Sequence, residues 1–203
     1  MSMFLVPYSV AVLVGIGMLP ADPQRAHCMA GIVRPDSPKA SSHRPSPART
    51  RQWLEARHDA ERTAALIDLQ QVDPVVRDLL LPVAGIESRF RASVRSHTGA
   101  KGLLQITGIA EKQVHMFPLD PGYPGPIMVR TDKNRLYDPV YNVNIGAAYL
   151  QYCWEETGSV VLALMMYNGG KKQVNSFLRG QPVAQETETY VLRVLRLQEA
   201  CPD

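Results

Sequence analysis

Residues 79–105 read LLLPVAGIESRFRASVRSHTGAKGLLQ. Leu79, Leu80, Leu81, Val83 and Ile86 form an apolar run that has to be buried, and it carries Glu87 in with it, just ahead of a loop punctuated by Gly99 and Gly102. A carboxyl in such surroundings loses the hydration of its charged form, so its pKa rises and it can hold a proton near neutral pH. That suits a general acid; the bland alternative is a helix-end Glu reaching into solvent. The run belongs to a helix expected from Pro74 toward Ser88. Pro82 lies inside it, so a kink or a break is expected there, with the effect of aiming Glu87.

Helical spacing covers most of the remaining chain. Trp53, Leu54, Ala60, Ala64, Leu66 and Ile67 recur roughly at that spacing, and Asp73-Pro74 is a cap followed by a proline at the first helical position. Thr107 starts a short helix. Asp138-Pro139 caps a longer one that closes at Gly158, and Ser159 starts an apolar helix that delivers Tyr167-Asn168 to a Gly169-Gly170 turn. Residues 171–179 and 186–200 complete the set. Asn142, Gly146 and Tyr149 fall on one helical face, and a Gly inside a helix costs roughly 1 kcal/mol against Ala, so Gly146 is expected at a close helix contact. Residues 115–137 read as an insertion, a flap beside a cleft or a surface loop, with a short strand near Ile127. The fold class expected is all-α, with a β element at most in that insertion.

Composition limits the function classes. The net charge of +3 is mild and its basic residues are scattered rather than interleaved with aromatics, which excludes a nucleic-acid interface. His97 and His115 have no paired ligand spacing, so neither metal nor other cofactor is expected. Residues 1–20 are expected to be a signal peptide or membrane anchor: 3–19 are nearly all apolar, and small residues suited to cleavage occur at Leu19-Pro20-Ala21 and at Cys28-Met29-Ala30. Arg25, Arg34, Lys39, Arg44 and Arg49 follow the run and no Lys or Arg precedes it, which runs against export and fits either an uncleaved anchor or a start codon assigned too late. Residues 21–49 lack apolar periodicity, and six of the 16 prolines lie between Pro20 and Pro47, so this segment is expected to be an extended tether with His27 and His43 solvated. The folded domain is expected over 50–203. Of the three cysteines, cleavage after Ala30 would leave Cys153 and Cys201, either bonded to each other or free.

Five blocks occur in one order: Glu87-Ser88-Arg89-Phe90; residues 96–105, SHTGAKGLLQ; Asn142-Val143-Asn144-Ile145-Gly146 with Tyr149-Leu150; Tyr167-Asn168-Gly169-Gly170; and Glu186-Thr187 with Tyr190-Val191. This resembles the soluble lytic transglycosylases, relatives of goose-type lysozyme, whose pattern runs ES-x-F, S-x-x-GA-x-GL-M-Q, N-I-x-x-G-x-x-YL, AYN-x-G and ET-x-x-Y. The match covers about residues 75 to 195. It implies a lysozyme-like helical domain at the periplasm or cell envelope, likewise a monomer acting on peptidoglycan glycan strands. The implied reaction cuts the β-1,4 bond after N-acetylmuramic acid and leaves 1,6-anhydro ends, with Glu87 as the single catalytic acid. It also implies that Ser96 orients Glu87 and that Gln105, Tyr167, Asn168 and Glu186 line the sugar cleft. Leu104 stands where Met is usual, and Met166 and Gly169 where Ala is usual, changes that bear on subsite preference. No second acid is placed as most glycosidases require. A hydrolytic muramidase and a non-catalytic glycan-binding component are the alternatives, and small members of the family serve secretion, conjugation or flagellar assemblies.

Overall fold

The structure, a computed structural model, describes residues 23–33, 47–116 and 134–201. Among them are seven α-helices: α1 (Pro23–Val33), α2 (Pro47–Asp68), α3 (Pro74–Ser88), α4 (Gly108–Met116), α5 (Pro139–Thr157), α6 (Val160–Leu178) and α7 (Gln185–Ala200). A 3₁₀ turn, Arg135–Tyr137, leads into α5. Among the described residues β pairing is limited to two isolated bridges, Arg95 with Lys101 and Lys101 with Ile106, inside the loop joining α3 to α4. The all-α expectation holds. The strand expected near Ile127, the apolar stretch 3–19 and most of the 115–137 insertion lie outside the described residues. No described helix is long and apolar enough to cross a membrane.

Helix starts follow their side chains. Asp73 accepts from the Val75 N–H at 2.8 Å ahead of Pro74, Asp138 accepts from Tyr141 N–H at 3.1 Å ahead of Pro139, and Thr107 Oγ1 accepts from Ala110 N–H at 3.1 Å. Gly158 closes α5 in the left-handed region at φ 61°. The middle of the domain is α5, whose Val143, Ile145, Ala147, Ala148 and Leu150 are wholly buried and which packs on α2, α3, α4 and α6. Burying each larger apolar side chain contributes about 1.5–3 kcal/mol. Beside α5, Glu111 of α4 accepts from Arg135 Nε at 2.5 Å and from the Tyr141 hydroxyl at 2.8 Å, tying together the two elements that flank the insertion. Burial alone would raise the Glu111 pKa, but Arg135 and Tyr141 outweigh it and hold the carboxyl below its usual range.

Three expectations are corrected. Within 21–49, Pro23–Val33 is a helix with Ala26, Met29 and Ala30 buried, and α2 already begins at Pro47, ahead of Thr50. The prolines read as marks of an extended tether are helix starters here: Pro23 and Pro47 each occupy the first turn, where the missing N–H costs nothing. His27 is accordingly not solvated; its Nδ1 accepts from Arg57 Nη2 at 2.6 Å and its Nε2–H donates to Glu61, which joins α1 to α2. The second correction concerns sulfur. Because α1 returns to the end of α7, Cys201 bonds to Cys28, with Cα atoms 5.8 Å apart, and Cys153 stays a buried free thiol. Third, α3 is continuous through Pro82 to Ser88, so the expected break is not there. The Gly-Gly turn, by contrast, is present as a kink inside α6, at Gly170 with φ 73° and ψ 177°.

Candidate active site

Glu87 sits in the last turn of α3. Arg89 and Phe90 then both take left-handed backbone conformations, φ 53° and 62°, which swing the chain out of the helix and drop the Phe90 ring into the core. Two consecutive non-glycine residues in that region cost energy, and burial of a whole aromatic ring offsets it.

The following loop is folded on itself and then pinned from α5. Lys101 and Ile106 exchange backbone hydrogen bonds at 3.1 and 3.0 Å. Gln105 Nε2 donates to the Val94 and Gly102 carbonyls at 3.2 and 2.9 Å, which uses both amide hydrogens and leaves its Oε1 as an acceptor. Asn142, wholly buried, donates to the Lys101 and Leu136 carbonyls and accepts from Leu104 N–H, all within 2.9 Å. Gly102, at φ 80°, lies so close beneath that a Cβ there would stand 2.3 Å from Asn142 Nδ2. The close contact at Gly146 is with this loop and not with a helix: a Cβ would meet Leu104 Cδ1 at 2.3 Å. The Tyr167 hydroxyl adds the last fastening, donating to the Leu104 carbonyl at 2.8 Å.

Around Glu87 stand groups from α6 and α7. The carboxyl keeps an exposed edge, yet enough protein surrounds it that loss of hydration dominates, pushing its pKa up from 4.5 to about 7. Tyr190 pulls it down and the carboxylate of Glu186 pushes it up further. Among the described residues the buried Tyr190 hydroxyl stops short of a hydrogen bond of proper distance and angle, so its pull on Glu87 is that of a nearby dipole rather than a formed bond. Tyr167 is raised well above the usual phenol range by burial and then by the charge of Glu87. Its ring lies 5.3 Å from that of Tyr149, which in turn stacks 6.2 Å from Tyr152. Thus Glu87, Tyr167 and Glu186 come together from α3, α6 and α7, with Gln105 on the loop that Tyr167 holds.

The α6 kink places Glu186. A Cβ on Gly169 would stand 2.7 Å from Thr187 Oγ1, and Gln173 Oε1 accepts from the Ala184 N–H at 2.9 Å, so the second half of α6 grips the start of α7. Asn168 is half-buried just before that kink. Ser96 is engaged elsewhere than the resemblance implies: its hydroxyl pairs with Thr98 Oγ1 at 2.8 Å and accepts from Ala100 N–H at 3.0 Å, which shapes the loop. Two residues quoted in the sequence blocks were given no site role there, Tyr190 and Asn142. Tyr190 stands four residues after Glu186 on α7, the spacing that puts both on one helix face, and that spacing was the available signal. Asn142 gave only the signal of a helix-face residue.

The family model described as the transglycosylase SLT domain matches residues 66–189. The chain belongs to that family. Over 100 residues, 48% of the chain, it is 37% identical to the soluble lytic murein transglycosylase of Escherichia coli (strain K12), and that stretch is 14% of the relative, so the chain matches about a seventh of its length. The crystal structure of the 70 kDa soluble lytic transglycosylase from Escherichia coli superposes with a TM-score of 0.59 at 25% identity, covering 75% of this chain and 26% of that one. The complex of the 70 kDa soluble lytic transglycosylase with bulgecin A gives 0.56 at 24%, over the same shares, a likeness of fold. The SLT domain match and the helical neighbours agree with the five blocks of sequence.

Proposed function

We propose that this chain is a peptidoglycan lytic transglycosylase, cutting the β-1,4 bond between N-acetylmuramic acid and N-acetylglucosamine with Glu87 as its single acid and base. The observation that carries this is the setting of Glu87 beside Tyr167, Tyr190 and Glu186, where burial pushes its pKa up to about 7 and lets it donate a proton near neutral pH. Glu87 gives that proton to the departing glycosidic oxygen while the sugar's acetamido oxygen supports the cationic anomeric carbon. The Glu87 carboxylate then takes a proton from the C6 hydroxyl, whose oxygen closes on that carbon and yields the 1,6-anhydro end without water. The other buried acid, Glu111, is committed to Arg135 and Tyr141, which supports a one-carboxylate mechanism. Gln105, with its free acceptor, and Asn168 and Glu186 contact the sugars, while Ser96 fixes the loop that presents Gln105.

Action on glycan strands places the enzyme at the cell envelope, in the service of a trans-envelope secretion, conjugation or flagellar assembly. A leader cut after Ala21 leaves α1 whole, whereas a cut after Ala30 would sever it, so the earlier site fits an exported form. The test is digestion of purified sacculi with product analysis by mass. Anhydro ends support the reading, and reducing ends would replace it with a hydrolytic muramidase. Glu87→Gln should lower turnover by about 10²–10⁴-fold, the usual worth of a general acid, and residual activity within about tenfold of the parent would refute the one-acid mechanism.

A further inference from the structure

A proline inside a helix has no N–H to give to the carbonyl one turn earlier. In α3 that proline is Pro82, and the carbonyl it cannot serve is that of Asp78. A proline ring within a helix also crowds that carbonyl, which weakens the turn around it. The structure supplies a substitute donor. Arg25 Nη2 of α1 reaches the Asp78 carbonyl at 3.3 Å while its Nε donates to the Cys201 carbonyl at 3.2 Å.

The far end of α1 meets α3 on the other side of the proline. A Cβ on Gly85 would stand 3.4 Å from Val33 Cγ1 and 3.0 Å from Leu197 Cδ2, so Gly85 lets α1 and α7 approach the turn just before Glu87. At 1.5 Å per residue, Arg25 to Val33 spans about 12 Å and Asp78 to Gly85 about 10 Å. The two segments run side by side with Pro82 between their contacts, as a splint spans a break. The Cys28–Cys201 bond holds the same helix to the end of α7, and the His27 pairings with Arg57 and Glu61 hold it to α2.

We propose that α1 is a positioning clamp for the catalytic acid. Fixed by its disulfide to Cys201, it presents Arg25 to the Asp78 carbonyl, which Pro82 cannot serve, and so sets the direction of the final α3 turn that ends in Glu87. Arg25 is a positioning residue here; it acts through α3 and touches no substrate. The proposal rests on Glu87 being the acid, and its tests separate the two ideas.

In Arg25→Ala the last turn should sway, admitting water to Glu87 among Tyr167, Tyr190 and Glu186. The alkaline limb of the pH–rate profile on sacculi then moves to lower pH, and kcat falls roughly ten- to a hundredfold, since misplacement of that order costs as much. KM should stay within about twofold, as expected when only an interaction of the transition state is lost. Pro82→Ala restores the N–H that α3 lacks, so in that background Arg25→Ala should change kcat by less than about twofold, a coupling that a merely structural residue would not show. Hydrogen exchange over residues 83–88, read on the full chain and independent of activity, should quicken in Arg25→Ala and in the paired Cys28→Ser, Cys201→Ser variant. Equal kcat losses in both backgrounds, or unchanged exchange over 83–88, overturns the clamp. Turnover retained in Glu87→Gln would remove the acid assignment while the exchange measurement still decides the clamp.

Discussion

Glu87→Gln should stabilise the folded protein above neutral pH while stopping its chemistry. The folded state carries the Glu87 pKa up from 4.5 to about 7, so between those values it keeps a proton that the unfolded chain releases. Stability then falls as pH rises, because the folded state binds more protons than the unfolded one; the loss begins near 4.5 and is complete a little above 7. At about 1.4 kcal/mol per pH unit that window amounts to about 3 kcal/mol, trimmed toward about 2 kcal/mol by solvent at the exposed edge of the carboxyl. Gln has the same shape and does not titrate. The gap in unfolding free energy between variant and parent should therefore grow from near zero at about pH 4 to about 2–3 kcal/mol at about pH 8, or a rise in Tm of roughly 5–10 °C for a chain of this size. Urea unfolding followed by circular dichroism across that pH range measures it. Parallel curves, or a parent that gains on the variant as pH rises, would show that Glu87 does not lose hydration on folding, and the proton donor would have no physical basis.

Tyr190→Phe and Glu186→Gln should move the alkaline limb of the pH–rate profile in opposite directions, up for the first because a group that lowers the Glu87 pKa is gone, and down for the second because a neighbouring negative charge is gone; the Glu186 effect should shrink in high salt, and shifts of one sign would refute the arrangement. Gly146→Ala puts a methyl where Leu104 already stands, 2.3 Å from its Cδ1, so the variant should lose about 1–3 kcal/mol in thermal unfolding and bind glycan fragments more weakly through a displaced Gln105; parent-like behaviour in both assays would mean the loop gives way freely. Thiol titration of the denatured, unreduced protein should find one free thiol, Cys153, hidden in the native state by burial, which also raises its pKa; three would dissolve the Cys28–Cys201 bond.

The helices were legible because their signals are local. Asp73-Pro74, Asp138-Pro139 and Gly158 act within one turn, and each stands where the sequence put it. So was the setting of Glu87, since an apolar run cannot be buried without taking that carboxyl along. What failed depended on distance. α1 looked like a tether because proline content marks both loose segments and helix starts, and the difference lies in Met29 and Ala30 finding α2 and α3 to bury against. The disulfide partner of Cys201 could not be read for the same reason, since its mate lies 173 residues away. Gly146 was read correctly as a close approach but assigned to a helix, because periodicity reveals a face and not what meets it.

The site itself shows why a local reading stops short. Glu87 alone is an ordinary acid; its raised proton affinity comes from burial and from the charge of Glu186, against the pull of Tyr190, and these act on it only when α7 packs against α3. Asn142 and Gly146 carry no chemistry, yet they hold the loop on which Gln105 depends, and Tyr167 both fastens that loop and walls the acid. One tyrosine hydroxyl therefore couples the two halves of the site: freeing Leu104 would loosen the loop that carries Gln105 and unwall Glu87 together. The acid and the loop follow one another in sequence, but they work as a unit because α5 and α6 press on both.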